Sequence, residues 1–429
     1  MNSGNGKMMW DLANRLFPIC RSITGDGFRT SLDIIREFVP DIKVFEIPSG
    51  TPVFDWTVPK EWNIVGGGIY RLNGEKVVDF RDSNLHIVGY SVPINKTISL
   101  NELLEHIYTQ PDQPDLIPYV TSYYSERWGF CMSDNQKRTL KDDCYQVIID
   151  SSLKDGSLTY GELIIPGTTE DEIFFSTYLC HPSMANNELS GPVLQTELIK
   201  YVKQLTNRRY TYRFVFIPET IGSITYCSQN LDELKKNIRA GFVLSCVGDE
   251  KAYSYVASRY GNTLADRVLQ NVLRYYTNDA FLKYSFLERG SDERQYCSPG
   301  VDLPVVGFCR SKYGEYPEYH TSADDMRLIT PKGLEDSFDV MVKAIGALEN
   351  NYYYHSKCLG EPQLGRRGMY STISQKGSAR SSIAMKDFLA YADGTNDLIA
   401  ISNIINQPVD VLIPIIDKLV ANGLIYIKM

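Results

Sequence analysis

Four apolar runs, each ending near a residue that can bind a metal or move a proton, constrain this chain more than any other feature. They are rich in Ile, Val and Phe and span residues 172–180, 213–217, 242–246 and 303–309. Apolar runs of this length predict strands buried on both faces, as in a sheet covered by helices on either side. The residues that follow the runs are His181, Glu219, Asp249 and, after a short loop, His320.

Ligands of such sheets bind beyond the carboxyl ends of the strands, so these residues are expected along one edge of one sheet. Imidazoles and carboxylates bind zinc and transfer protons. Taken alone, His181 is more simply a hydrogen-bonded loop residue, and Glu219 a capping or surface residue. Because several strand ends supply matching groups, the sequence favours a metal-dependent hydrolase.

Length and composition limit the expected number of domains, the class of partner and the cellular location. A chain of 429 residues is expected to form two or three domains. The net charge of −8 argues against a protein that coats nucleic acid. Nine Cys without a CxxC pair indicate reduced thiols and a cytoplasmic location. No run approaches the roughly 18 apolar residues of a membrane span, so we expect a small-molecule or peptide-like substrate and no membrane partner. Homo-oligomerisation stays open.

Changes in residue composition and in the predicted pattern of strands and helices indicate the domain boundaries. Strands alternating with helices predict an α/β fold with substantial parallel pairing. A region rich in Pro, Gly and Trp, with a hairpin signal at Asn73-Gly74, interrupts that pattern. The predicted segments are an N-terminal part of the α/β domain at 1–48, an inserted β-rich module at 49–137, the main α/β domain at 138–356, a linker at 357–377 and a winged helix-turn-helix at 378–429.

The C-terminal segment reads as three short helices followed by a strand at 425–428. Its predicted recognition helix, at 408–422, carries one Lys, no Arg and two Asp. A DNA reader normally brings several basic residues. A packing or dimerisation role is therefore favoured over DNA binding.

The string CHPSMANNELSGP at 180–192 places Glu188 seven residues after His181, close enough along the chain for both to reach one metal. Glu219, in PETIGS, is predicted to be the general base of metal-assisted amide hydrolysis. His320 lies in EYHTSADD, where Asp324 or Asp325 could orient its second ring nitrogen.

Another polar string, RGSDERQYCSPG at 289–300, reads either as a solvated loop or as the lining of a substrate pocket. In the second reading, Asp292 or Glu293 would meet a substrate amine. The residues predicted to place the substrate are Asp292, Glu293, Arg294 and Tyr319.

These motifs resemble the M28-type zinc aminopeptidase superfamily and, more closely, the aminopeptidase-like family DUF4910, which carries an inserted small β module (DUF2172) and a C-terminal winged helix. The resemblance covers essentially the whole chain. It implies a three-layer α/β/α sandwich around a mixed sheet, zinc at the strand ends, and a cytoplasmic protein associated with polysaccharide biosynthesis. By this resemblance, His181 and His320 match the first and last ligand His, and Glu219 matches the catalytic Glu.

The chain departs from the superfamily pattern where other metal ligands are expected. Carboxylates are replaced there by Asn187, Thr220 and Ser245. The remaining set of His181, Glu188 and His320 is predicted to hold one zinc ion rather than two, with water in the fourth position. Additional ligands or supporting groups are predicted at Asn187, Asp249 and Asp324.

The predicted function is therefore a zinc-dependent hydrolase of amide bonds, a peptidase or deacylase that acts on a small or carbohydrate-linked amide. The substitutions leave an alternative open, a non-catalytic peptidase-like binding protein. A third reading is a regulator that acts through its winged helix.

Overall fold

The computed structural model describes residues 4–369 and 378–428, so part of the predicted linker lies outside the described residues. The strands are β1 Lys43–Pro48, β2 Pro52–Val53, β3 Trp56–Thr57, β4 Glu61–Arg71, β5 Lys76–Asp79, β6 Ile94–Ser99, β7 Ile107–Tyr108, β8 Phe130–Cys131, β9 Cys144–Lys154, β10 Ser157–Ile165, β11 Glu172–Tyr178, β12 Thr211–Ile217, β13 Ile238–Leu244, β14 Ser254–Val256, β15 Leu282–Tyr284, β16 Val305–Cys309, β17 Tyr353–Ser356, β18 Asp393–Asp397 and β19 Ile425–Lys428.

The helices follow the predicted periodicity closely. They are α1 Asn5–Leu16, α2 Asp26–Arg36, α3 Leu100–Leu104, α4 Asp134–Arg138, α5 Ser190–Gln204, α6 Ile221–Asn237, α7 Leu264–Tyr276, α8 Glu293–Tyr296, α9 Pro331–Glu349, α10 Ser378–Tyr391, α11 Leu398–Ile404 and α12 Val409–Ala421. Helix α3 is short, ends at Leu104 and is followed by strand β7.

The main sheet has eight strands in the order β1-β10-β12-β11-β13-β16-β14-β15. Its four central strands, β12, β11, β13 and β16, are parallel, and antiparallel pairs flank them. Every residue of β11 is buried, as the unbroken apolar runs predict for strands covered on both faces. The mixed α/β fold is therefore confirmed.

Alternate residues of β11 face helices on opposite sides of the sheet. Phe174 and Tyr178 belong to the same buried cluster as Ile221 of α6. On the other side Thr177 approaches Gly191 of α5, where an added Cβ would lie 2.3 Å from the Thr177 hydroxyl and from the Leu244 carbonyl oxygen. The glycine thus allows α5 to begin against the sheet, beside the end of β11.

The inserted module is a four-stranded antiparallel sheet in the order β5-β4-β9-β6. The Asn73-Gly74 hairpin forms between β4 and β5 as predicted. Residues 145–149 fall within the main α/β domain predicted at 138–356, but β9 pairs with β4 and β6 of the inserted module. Alternate residues of β9, including Tyr145, Val147 and Ile149, fill the module's own core. The module therefore extends past its predicted end at residue 137.

Residues 262–281 and 339–429 form a second compact unit. Its three-stranded sheet has the order β18-β17-β19, and β17 precedes the predicted start of the winged helix at 378. The C-terminal strand β19 pairs with β17, which is why the domain needs a strand from before the linker. Among the described residues no single helix is long and apolar enough to cross a membrane; the bent pair α11 and α12 meets that test only together.

Loops of the inserted module contact the segment that carries His320. Tyr119 N donates to the His320 carbonyl oxygen over 2.9 Å, and Ser322 N donates to the Ile117 carbonyl oxygen over 2.9 Å. An isolated bridge joins Pro118 and Thr321. These backbone contacts make the module one wall of the region at the carboxyl ends of the central strands.

Candidate metal centre

His181 follows β11 and is buried, with its ring held by a carboxylate. Its Nδ1 lies 2.6 Å from Glu188 Oε2. Glu188 sits in a turn of π-helix, Ala185–Leu189, that directly precedes α5. A π-turn re-aims side chains relative to a regular helix and is frequent at functional sites. Because Nδ1 is occupied, Nε2 is the ring nitrogen free to bind a ligand, and it lies 3.5 Å from Glu219 Oε2.

Glu188, predicted to be a metal ligand, uses one of its carboxylate oxygens to contact His181 in this geometry. Cys180, His181 and Glu188 each offer a ligand atom within 4.8 Å of the others. However, neighbouring ligand atoms of a tetrahedral zinc ion lie about 3.3 Å apart, given bonds of about 2.0 Å. The 2.6 Å contact between Glu188 and Nδ1 is a hydrogen bond. In this geometry Glu188 orients the His181 ring through Nδ1, the nitrogen opposite the free Nε2, as carboxylates commonly do for zinc-binding His.

Arg21 extends this chain of contacts and was missed by the sequence analysis. It is 1% exposed, and its Nε lies 3.8 Å from Glu188 Oε1. Its Nη1 donates to the Leu16 carbonyl oxygen over 2.6 Å. Burial lowers the pKa of Arg21, while the charge of Glu188 raises it again. The one available signal was a basic residue inside the otherwise apolar loop PICRSITG.

His320 faces His181, with ring centroids 5.5 Å apart. Two imidazoles that share a tetrahedral zinc ion have centroids about 5.2 Å apart, estimated from the usual bond lengths. The backbone of His320 is left-handed, with φ of 54°. Tyr319 stacks on the ring at 3.8 Å, and Tyr119 meets its edge at 5.1 Å. His320 Nε2 is buried and has no hydrogen-bond partner.

The two His have opposite pKa shifts. Burial, and then the charge of His181, lowers the pKa of His320 to about 3, which keeps this ring neutral and able to bind a metal at neutral pH. Burial also acts to lower the pKa of His181, but the carboxylates of Glu188 and Glu219 outweigh it and raise that pKa. The His181 ring is thus polarised by acids on both of its nitrogens.

Glu219 lies in the short turn between β12 and α6. Its backbone N–H donates to Cys180 Sγ over 3.2 Å, and its side chain is 22% exposed. Burial raises the pKa of Glu219, while His181 and Arg294 act to lower it. A carboxyl with a raised pKa beside a free imidazole nitrogen is suited to accept and release a proton.

Asp249 and Asp324, predicted as additional ligands or supporting groups, are engaged in holding the loop around Asn186 and Asn187. Asp324 accepts from the backbone N–H groups of Asn186 and Asn187, over 2.6 Å and 3.0 Å. Asp249 accepts from Asn186 Nδ2 over 2.9 Å and from Ser311. These contacts assign both acids to support, and Asp324 contacts this loop instead of the His320 ring.

Asn187 belongs to the loop that Asp249 and Asp324 hold beside the candidate metal centre. Its Nδ2 donates to the Tyr178 hydroxyl over 3.0 Å. Its Oδ1 is buried and has no hydrogen-bond partner. The Tyr178 ring lies 5.4 Å from the ring of His181. A neutral oxygen therefore occupies the position where the superfamily pattern has a carboxylate.

The predicted substrate residues separate into two groups. Asp292 Oδ1 accepts from Thr220 N and Ser223 Oγ, each over 2.8 Å, while Oδ2 is buried without a partner. Burial, and then the charge of Glu219, raises the pKa of Asp292 to about 7. Arg294 contacts the Thr220 hydroxyl. In contrast, Glu293 Oε1 accepts from Gly290 N over 3.0 Å and from the Tyr313 hydroxyl, so this oxygen holds its own loop.

The residues present fit a zinc ion. Zinc prefers His nitrogen and carboxylate oxygen, and here His181 and His320 each supply an imidazole nitrogen. Asn187 Oδ1, which is buried without a hydrogen-bond partner, is a weaker metal ligand than a carboxylate. Thr220 and Ser245 offer no carboxylate for a second ion. His320 also stands outside the compact group of ligand atoms within 4.8 Å of one another, so a metal would draw its ring closer.

Comparison with known protein families identifies the family to which the chain belongs. Residues 10–351 match the family described as domain of unknown function DUF4910, and residues 352–427 match a winged helix-turn-helix family. The chain belongs to the DUF4910 family. The second match starts just before β17, in agreement with the pairing of that strand with β19.

Relatives extend this assignment. A Clostridium acetobutylicum protein, provisionally named a polysaccharide biosynthesis protein with an aminopeptidase-like domain, is 47% identical over 94% of this chain and 92% of its own length. The crystal structure of a provisionally named peptidase from C. acetobutylicum has a TM-score of 0.93 and 44% identity, and the match covers 99% of this chain and 97% of that one.

More distant structures share the fold. A zinc aminopeptidase from Bacillus subtilis has a TM-score of 0.56 at 14% identity, over 79% of this chain and 94% of that one. A peptidase M28 precursor from Shewanella amazonensis has a TM-score of 0.54 at 12% identity, over 83% and 98%. The chain therefore has an aminopeptidase-like fold followed by a winged helix.

Proposed function

We propose that this protein is a metal-dependent amide hydrolase that uses one zinc ion. The observation that carries the proposal is the arrangement of His181, whose Nδ1 is held by Glu188 at 2.6 Å while Nε2 faces Glu219 at 3.5 Å. The ring of His320 lies 5.5 Å away with its Nε2 unpaired. His181 and His320 would hold the ion, with Asn187 Oδ1 beside them.

Zinc, when bound, polarises a carbonyl group and makes a water molecule more acidic. The chain's own contribution to hydrolysis is proton transfer and orientation. Glu219, with its raised pKa, accepts a proton from the attacking water and donates it to the leaving amine. Arg294 and Asp292 flank Glu219 through their contacts with Thr220, the next residue in the chain. The unpaired Asp292 Oδ2 offers a polar contact for the substrate.

The names of the relatives support the class of reaction. The fold shared with a zinc aminopeptidase favours cleavage of an amide bond, by a peptidase or a deacylase. The C. acetobutylicum relative, named for polysaccharide biosynthesis, favours a small or carbohydrate-linked amide over a protein substrate.

A second candidate is a non-catalytic binding protein with the same fold. The observation that favours it is the neutral side chain at Asn187, Thr220 and Ser245, where the superfamily pattern has carboxylates. In that case the polar atoms that lie buried and unpaired around the centre would bind a ligand without turnover.

Zinc titration of the metal-free full chain by calorimetry separates these candidates. We expect one equivalent to bind, with affinity at least tenfold lower in His181→Ala and in His320→Ala. His106→Ala is the matched control, because that ring stacks on Trp128 within the inserted module. Absence of binding, or equal binding by all four proteins, refutes the proposed centre.

Activity provides the second arm of the test. Zinc-loaded protein is incubated with aminoacyl and N-acyl amides, and the released amine is measured. Turnover that disappears in Glu219→Gln while zinc binding persists supports the hydrolase. Stoichiometric zinc binding without turnover in either protein favours the binding protein.

A further inference from the structure

Three exposed aromatic side chains cluster on the inserted module and the segment before it. Phe54, Trp56 and Tyr124 are 54%, 42% and 51% exposed. The rings of Trp56 and Tyr124 lie 6.1 Å apart, and the Tyr124 hydroxyl donates to the Thr57 carbonyl oxygen over 2.9 Å. We call these three residues the aromatic platform. Grouped apolar rings in water are unfavourable for a soluble chain and commonly mark binding surfaces.

The hairpin that carries Phe54 and Trp56 is strained at its tip. Phe54 lies in the turn between β2 and β3 with φ of 53°, a left-handed backbone that bulky residues rarely adopt. Backbone strain of this kind persists where the surroundings enforce it and clusters at functional sites. Val53, next to it, is fully buried in the main core and anchors the hairpin. The fold thus holds an aromatic ring in solvent where Gly would be favoured.

A line of tyrosines connects the aromatic platform to the candidate metal centre. Tyr123, the neighbour of Tyr124, has its hydroxyl 3.2 Å from that of Tyr119. The Tyr119 ring lies 5.2 Å from the ring of His181 and 5.1 Å from that of His320. Strand β2 also contacts α6, the helix that begins two residues after Glu219. One short stretch of the chain therefore carries both Tyr124 of the aromatic platform and Tyr119, which lies against both rings of the centre.

We propose that the aromatic platform binds the saccharide part of a carbohydrate-linked amide, so that the amide reaches the His181–His320 centre. This inference rests on the proposed function and specifies its substrate class. A pyranose ring has an apolar C–H face that stacks on aromatic rings and a hydroxyl edge that needs polar partners. Along the hairpin, Phe54 and Trp56 alternate with two residues that can be such polar partners, Asp55 and Thr57.

The surroundings of the aromatic platform favour a saccharide over a lipid or an apolar peptide. An ion pair between Lys60 and Glu126, 2.6 Å long and about half exposed on both sides, belongs to the segments that carry the hairpin and Tyr124. An apolar partner would have to desolvate these charges, which is costly. A hydroxylated ligand can hydrogen-bond to them while it stacks on the rings.

The test uses an array of oligosaccharides that contain N-acylated amino sugars, probed with the full zinc-loaded chain, and isothermal titration of the strongest binder. We expect Trp56→Ser and Tyr124→Ser each to weaken binding at least tenfold. Leu72→Ser is the matched control, since Leu72 is a 62% exposed apolar residue elsewhere in the module. Phe54→Gly relieves the left-handed strain, so we expect weaker saccharide binding without a lower melting temperature.

The outcomes distinguish this inference from the proposed function. No saccharide bound, or equal binding by the three platform variants and Leu72→Ser, overturns the inference even if zinc binding and turnover persist. Platform-dependent binding that survives in His181→Ala and Glu219→Gln, without turnover in the unsubstituted chain, supports the inference and refutes the hydrolase. Binding to phosphatidylglycerol vesicles or to an immobilised peptide library instead of saccharides also overturns it.

Discussion

Asp292 offers a measurable test of how the acids around Glu219 are arranged. Its pKa is raised from 3.8 to about 7, by burial first and by the charge of Glu219 second. Since one pH unit corresponds to 1.36 kcal/mol, a rise of the pKa from 3.8 to about 7 corresponds to about 4 kcal/mol of folding free energy. The folded state binds this proton more tightly than the unfolded state does. The stabilisation is therefore complete below about pH 3.8 and is lost as the pH rises through about 7.

Asp292→Asn removes the titration but keeps an oxygen that can accept from Thr220 N and Ser223 Oγ. We expect this variant to gain about 4 kcal/mol of unfolding free energy relative to the unsubstituted chain between pH 4 and pH 8. Urea unfolding at a series of pH values, followed by tryptophan fluorescence, measures the difference. Asp33→Asn, at an exposed helix position, is the control and should leave the pH dependence unchanged. Parallel pH profiles for the Asp292 variant and the unsubstituted chain would refute the reasoning.

Other substitutions test the centre and its support. Asn187→Asp adds a carboxylate beside the cation and should raise zinc affinity at least tenfold by titration; unchanged affinity would place Asn187 Oδ1 away from the metal. Arg21→Leu removes the buried guanidinium that faces Glu188 Oε1 and leaves His181 as the remaining partner of that carboxylate. The unfolding free energy should fall by about 3–5 kcal/mol and zinc affinity by about 10–100-fold; unchanged stability and affinity would contradict this role of Arg21. Gly191→Ala, whose Cβ would lie 2.3 Å from two oxygens, should prevent soluble expression; normal expression and melting would contradict the close packing of α5.

Most of what the sequence predicts correctly about the fold comes from its apolar runs. They locate β11, β12, β13 and β16 because a strand buried on both faces has an unbroken apolar sequence. Parallel strands end at one edge, so His181 and Glu219 could be placed near each other from the sequence. Strand β9 was assigned to the wrong sheet, because alternation of residues indicates a strand without indicating its partner.

The contacts behind the centre could not be predicted in the same way. Seven residues can span the distance from His181 to a shared metal, which predicts Glu188 as a ligand, but the π-turn directs its carboxylate to His181 Nδ1. Arg21 and Tyr119 reach the centre from segments far away in the chain, and nothing in their local sequence names their partner. Long-range packing, which a single sequence does not show, determines which groups support the His pair.

The neutral residues of the centre have an electrostatic consequence for the number of ions. Two divalent cations about 4 Å apart, as in two-metal hydrolases, repel each other by roughly 17 kcal/mol at an effective dielectric constant of about 20. A bridging carboxylate offsets much of this repulsion, and the chain has Asn187 at that position. The backbone of Asn187 is still held by Asp324, so the support remains while the bridging charge is absent. On the proposed function, this arrangement favours one cation at His181 and His320 over two.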